Sequence, residues 1–135
     1  MPAAHPPGIM NYSGLARAIS EYKDSDPIYC TRLIPRTLQM LGLVKDDGEA
    51  AWFYETPPTT GDKRWDALIA GIATHTWALS GKPGVPDWTL PFSPLKDWWE
   101  PAQISPRWTF WNMVNTPASI RERKIIFPSA WLVAV

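Results

Sequence analysis

The chain has one cysteine, Cys30, and no charge excess of either sign: 13 lysines and arginines face 13 aspartates and glutamates in 135 residues. A single thiol excludes an intramolecular disulfide and a multi-cysteine zinc site, and in so small a domain it favours a reducing compartment. Balanced charge argues against a DNA- or RNA-binding footprint and against a polybasic membrane-surface protein. No run of about 18 apolar residues is present to span a bilayer. The opening "MPAAHPPGIMN" lacks the basic and apolar regions of a secretory signal. A cytoplasmic protein with no membrane partner is expected.

Catalytic and metal-binding frames are missing too. Neither G-x-S-x-G nor a phosphate-cradling glycine loop occurs. His5 and His75 are the two histidines, without ligand spacing to each other or to an acidic loop. Cys30 sits in an apolar helical context, where a buried inert thiol is commoner than a nucleophile. Asp97 and Glu100 flank a tryptophan pair but resemble a glycosidase arrangement only superficially, since such a pair must face one sugar across about 5–9 Å. The expectation is a protein without catalytic residues, metal or cofactor.

What the chain does have is 45% hydrophobic residues, fifteen prolines and nine tryptophans. That hydrophobic content suits one globular domain. Proline stops helices, so the elements between prolines should be short. We expect a loose leader at 1–10 and a single helical domain at 11–135. The fold class is mainly α, an irregular orthogonal packing of short proline-bounded helices with little or no sheet.

The segment "YSGLARAISEY" reads as a helix capped by Ser13, with Leu15, Ala18, Ile19 and Tyr22 on one face. Asp26 and Pro27 open a second helical segment that Pro35 should break into 28–33 and 36–42. "KDDGEA" reads as a turn, and "AWFYE" as a strand or the end of a helix. Asp62 should cap the central helix, whose period runs through Trp65, Leu68, Ile69, Ile72, Thr76 and Leu79 to a stop at Gly81. Its small Ala70, Gly71 and Ala73 permit close approach of a neighbour. A helical turn is expected at 94–99, and a helix at 106–114 capped by Ser105 with Pro106 at its first position. Thr116 should cap a last helix reaching about Lys124, and "PSAWLVAV" should close the chain as a helical turn or a strand.

The tryptophans supply the binding signal. Trp108 and Trp111 are three apart, share a helical face, and are expected in the core. Trp98 and Trp99 are adjacent and cannot share a face, so one should stay outside. Trp77 points about 120° around the central helix from Trp65 and needs a neighbour of its own. Two or three exposed tryptophans in a neutral chain point to a binding surface. Arg121, Arg123 and the apolar tail from Trp131 are candidate additions, because arginine forks and tryptophan are enriched at protein hot spots.

From 57 to 127 the pattern "TGDKRWDALIAGIATHTWALSGKPGVPDWT…LKDWWEP…SPRWTFWNMVNTPASIRERKIIF" is similar to the effector portion that follows a helix-turn-helix domain in small actinobacterial regulators and antitoxins. The matching residues are Arg64, Trp65, Asp66, Ala67 and Leu68, then Pro86 and Trp88, Trp98 and Trp99, and finally Ile120, Arg121, Arg123, Ile125, Ile126 and Phe127. Lys124 stands where that pattern carries a glycine, and residues 10–56 offer no clear DNA-reading helix-turn-helix. The resemblance implies an antitoxin-like module that neutralises a partner toxin by direct contact through Trp98, Trp99, Arg121, Arg123 and Trp131. Two alternatives remain open. One is a DNA-binding regulator with "YSGLARAIS…PRTLQMLGLV" as a degenerate helix-turn-helix; the other is a carbohydrate binder using a Trp98–Trp99 platform.

Overall fold

The structure, a computed structural model, describes residues 10–101 and 108–133. It is mainly helical. Among the described residues the α-helices are α1 (Tyr12–Tyr22), α2 (Pro27–Leu41), α3 (Asp47–Phe53), α4 (Lys63–Leu79), α5 (Thr109–Val114) and α6 (Ala118–Arg121). Short 3-10 turns occupy Asp87–Thr89 and Ser129–Leu132. Extended pairing among the described residues is limited to one isolated parallel bridge between Trp99 and Ile125. The expected leader at 1–10 lies outside the described residues except for Met10, which packs on the core.

Side-chain caps set the early boundaries. Asn11, not Ser13, caps α1: its Oδ1 accepts the Gly14 N–H at 2.8 Å, while Ser13 is buried inside the helix. The same Asn11 amide donates to the Trp52 carbonyl at 3.0 Å and to Glu55 at 3.2 Å, tying α1 to the end of α3. Asp26 caps α2 by accepting from Tyr29 N–H at 3.0 Å, with Pro27 in the first turn. Asp46 caps α3 through the Glu49 N–H at 2.8 Å, so the "KDDGEA" stretch begins a helix instead of forming a turn.

Helix α2 runs through Pro35, contrary to the expected break. An interior proline costs about 3 kcal/mol. The stripe Cys30, Leu33, Ile34 and Thr37 is buried on both sides of it, and each large apolar side chain so buried contributes roughly 1.5–3 kcal/mol. Packing outweighs the lost backbone bond.

Helix α4 is the centre of the core. Asp62 caps it at the Arg64 N–H, 2.8 Å away, and the Arg64 side chain holds the Asp62 carboxyl below its ordinary pKa. Trp65, Leu68, Ile69, Ile72 and Ala73 face inward, and Gly81 ends the turn at φ +74. Leu79, expected on the inner face, projects into solvent at 74% exposure. At Gly71 the chain of α6 approaches so closely that a Cβ would lie 3.2 Å from the Ser119 carbonyl oxygen and 3.3 Å from Ile120 Cα. The Ser119 hydroxyl donates to the Gly71 carbonyl at 2.9 Å and fixes that contact.

Helices α1 and α2, Phe53, Tyr54, Ile120, Ile125, Phe127 and Leu132 complete the core. One polar knot lies within it: Thr76 Oγ1 is 2.7 Å from the hydroxyls of both Tyr12 and Tyr54. The Thr76 hydroxyl also lies 3.2 Å from the Ala73 carbonyl, which closes the network on α4. Burial pushes both phenol pKa values up, and the knot stays protonated.

The later third departs most from expectation. Residues 94–99 form no helix, and Ser105 and Pro106 lie outside the described residues. Thr116 does not cap α6: its hydroxyl donates to the Asn112 carbonyl at 2.7 Å and accepts the Phe127 N–H at 2.9 Å. Helix α6 ends at Arg121 instead of Lys124, because Lys124 adopts φ +64 in the left-handed region.

Candidate binding surface

Helix α5 is turned inside out. Thr109, Asn112, Met113 and Thr116 follow the i, i+3, i+4, i+7 spacing of one face, and this mostly polar stripe is the one turned inward. Asn112 and Thr116 are buried, while Trp108, Phe110, Trp111 and Val114 are 53%, 75%, 63% and 54% exposed. Trp108 and Trp111 are therefore a surface pair, not core residues. Their spacing fixes a shared face but not its direction. Turned this way, the stripe places the Thr116 hydroxyl where it accepts the Phe127 N–H.

The adjacent tryptophans separate as their extended backbone requires. Trp99 N–H donates to the Lys124 carbonyl at 3.0 Å, and Ile126 N–H returns a bond to the Trp99 carbonyl at 2.9 Å. This pairing turns Trp99 toward the core, edge-on to Trp65 with ring centroids 5.0 Å apart. The Arg64 guanidinium lies 5.1 Å from the Trp99 ring centroid, a cation–π distance. Trp98 faces out at 45% exposure. Trp98 and Trp99 share no exposed face, so they form no joint platform.

The remaining candidates divide in the same way. Arg121 is exposed, and one guanidinium nitrogen is 3.4 Å from the Val114 carbonyl, at the edge of the aromatic face. Trp131 is half-buried, edge-on to Phe127 at 5.3 Å. Arg123 is interior: it is 1% exposed, donates to the Ser119 and Thr89 carbonyls, and lies 4.0 Å from the Phe92 ring centroid. Its cation binds this fold's own carbonyls, which removes it from any partner surface. Burial lowers its pKa, against the opposing pull of Glu122.

Burial shifts three groups with possible chemistry. Burial pushes the Cys30 thiol up to about 11, so little thiolate exists near neutral pH. His75 is half-buried and its pKa is lowered by burial. Both carboxylate oxygens of Glu100 are shielded from solvent without a well-formed hydrogen bond. Burial raises its pKa, and the facing Asn112 side chain draws it partly back. Among the described residues, no three His, Cys, Asp or Glu side chains gather to hold a metal ion, and no helix is long and apolar enough to cross a membrane.

Phe110 and Val114 are parts of this surface that the sequence reading missed. The available signal was the Thr109–Asn112–Met113–Thr116 stripe, the face of α5 without bulky aromatic residues. No family model matches the chain, and no curated protein or solved structure matches it either.

Proposed function

We propose that this chain is a protein-binding module of the antitoxin type that neutralises a partner toxin by direct contact. The outward aromatic face of α5 carries the reading: Trp108, Phe110, Trp111 and Val114, with Arg121 at its edge. Tryptophan and arginine dominate the energetics of protein interfaces, and a contiguous apolar face rimmed by charge is a common form of such a surface. The fitting partner is a protein with an apolar recess bordered by a carboxylate that meets Arg121. Trp98, exposed as well, is a further candidate contact.

Co-expression with the product of the adjacent open reading frame tests the reading. Rescue of growth and co-purification are expected, both lost in the Trp108→Ser/Trp111→Ser double variant with its fold intact. Lack of rescue together with lack of co-purification overturns it.

A second reading, DNA binding, draws on α1 and α2. They are joined by a four-residue turn, and Arg32, Arg36 and Gln39 lie exposed at helical spacing on α2. A gel shift across a salt series decides it, because phosphate contacts make affinity fall steeply with salt. A flat response removes this reading.

A further inference from the structure

A groove far from α5 in sequence lies where the C-terminal ends of α2 and α4 meet α3. It encloses about 400 Å³, within the range of small-ligand sites. Leu38, Leu41, Val44 and Trp77 make its apolar wall, with the exposed Leu79 at its rim, and Lys82 is the one charged residue lining it. Tyr54 and Thr76 line it as well: Tyr54 meets Trp77 edge-on at 4.9 Å, and the Tyr12–Thr76–Tyr54 knot anchors that side.

Lys82 is held loosely at the mouth. Its ammonium lies 5.5 Å from the Trp77 ring centroid and 3.4 Å from an Asp47 carboxylate oxygen. The Asp47 side chain is fully exposed, so that ion pair is hydrated and weak. Two helix C-termini also point here, and their partial negative charge disfavours an anion. Their carbonyls are already bonded, however: Ser80 N–H and Gly81 N–H close α4 onto Thr76, Trp77 and Ala78. Gly42, Leu43 and Val44 N–H close α2 onto Gln39, Met40 and Leu41. A full charge at contact distance outweighs these capped partial charges.

We propose that this groove binds an amphipathic monocarboxylate, a compact apolar body of roughly ten heavy atoms ending in one acid group. The apolar body lies along Leu38, Leu41 and Trp77, and the acid takes the place of Asp47 against the Lys82 ammonium. Asp47 occupies that place in the ligand's absence and competes with it.

The test is a titration of the full chain with sodium octanoate, and separately with octylammonium chloride, followed by amide and indole shifts in a nitrogen-15 correlation spectrum. Octanoate is expected to give saturable shifts at Leu41, Trp77 and Ser80 with Kd on the order of 1 mM, as ligands of this size allow. Lys82→Gln weakens it more than twofold and up to about fivefold, and Asp47→Asn tightens it about twofold, the scale of one partly solvated ion pair. Trp108→Ser/Trp111→Ser leaves it unchanged. Shifts that never saturate, tighter binding of octylammonium, or an octanoate Kd within twofold of wild type in Lys82→Gln each overturn the proposal.

Discussion

Helix α4 carries Trp65 and Trp77, while α5 opens beside Trp108 and carries Trp111. The two helices treat these rings in opposite ways. In α4 Trp65, Leu68, Ile69 and Ile72 face in, and Gly71 lets α6 approach to within contact. In α5 the polar stripe faces in and the aromatic rings face out. The hydrophobic effect explains the inward face of α4, with Leu79 at its C-terminal end the exception, and leaves α5 with uncovered apolar surface. A helix that leaves its largest rings in water for its own fold's sake is poorly explained; one that covers them with another protein is ordinary.

The comparison breaks most visibly at Trp65. Trp65→Ala is expected to cost about 3–5 kcal/mol in urea unfolding, as large-to-small changes in packed cores do. An unchanged midpoint would mean that α4 is not the core helix. Arg123→Met comes next, at about 2 kcal/mol, because the Thr89 and Ser119 carbonyls lose their donor inside the fold. If Arg123 were a partner residue, its removal would spare stability and reduce binding instead.

Glu100 sharpens the contrast from beneath α5. A carboxyl whose folded-state pKa lies above its unfolded value binds protons preferentially in the fold. Stability should therefore rise as pH falls from neutral through the folded pKa, and level off below the unfolded one. Glu100→Gln is expected to remove that slope and gain no more than about 1 kcal/mol at neutral pH, since the residue is only partly desolvated. Urea midpoints measured at several pH values check the sign. Lys124→Gly should stabilise by about 0.5 kcal/mol, the relief of a left-handed lysine less the entropy glycine adds to the unfolded chain.

The smallest effect is the most telling. Trp108→Ser/Trp111→Ser should leave the unfolding midpoint within about 0.5 kcal/mol of wild type, as exposed substitutions usually do. A large loss would return both rings to the core and remove the surface.

Legibility in the sequence follows the same division. The caps at Asp26 and Asp62, the core period of α4 and the small residues at Gly71 were readable because each is local chemistry. The expectation of two or three exposed tryptophans fits Trp98, Trp108 and Trp111, although helical spacing alone points Trp108 and Trp111 to the core. Periodicity groups residues into faces; the rest of the fold decides which face is buried. Arg123 was unreadable for a related reason. Between Glu122 and Lys124 it looks like one member of a solvated charge run, and only the arrival of Thr89 and Phe92 from 34 and 31 positions away shows otherwise. Pro35 misled because a local rule lost to packing summed over a whole stripe.

The bridge between Trp99 and Ile125 has a consequence for how such a surface changes over time. Its hydrogen bonds join the two ends of the excursion that carries α5, and Trp99 seats one end against Trp65 while Ile125 seats the other in the core. The aromatic face thus stands on a closed loop with fixed footings. Trp108, Phe110, Trp111 and Val114 belong to neither footing, so replacing them is expected to leave the bridge and its two core anchors in place.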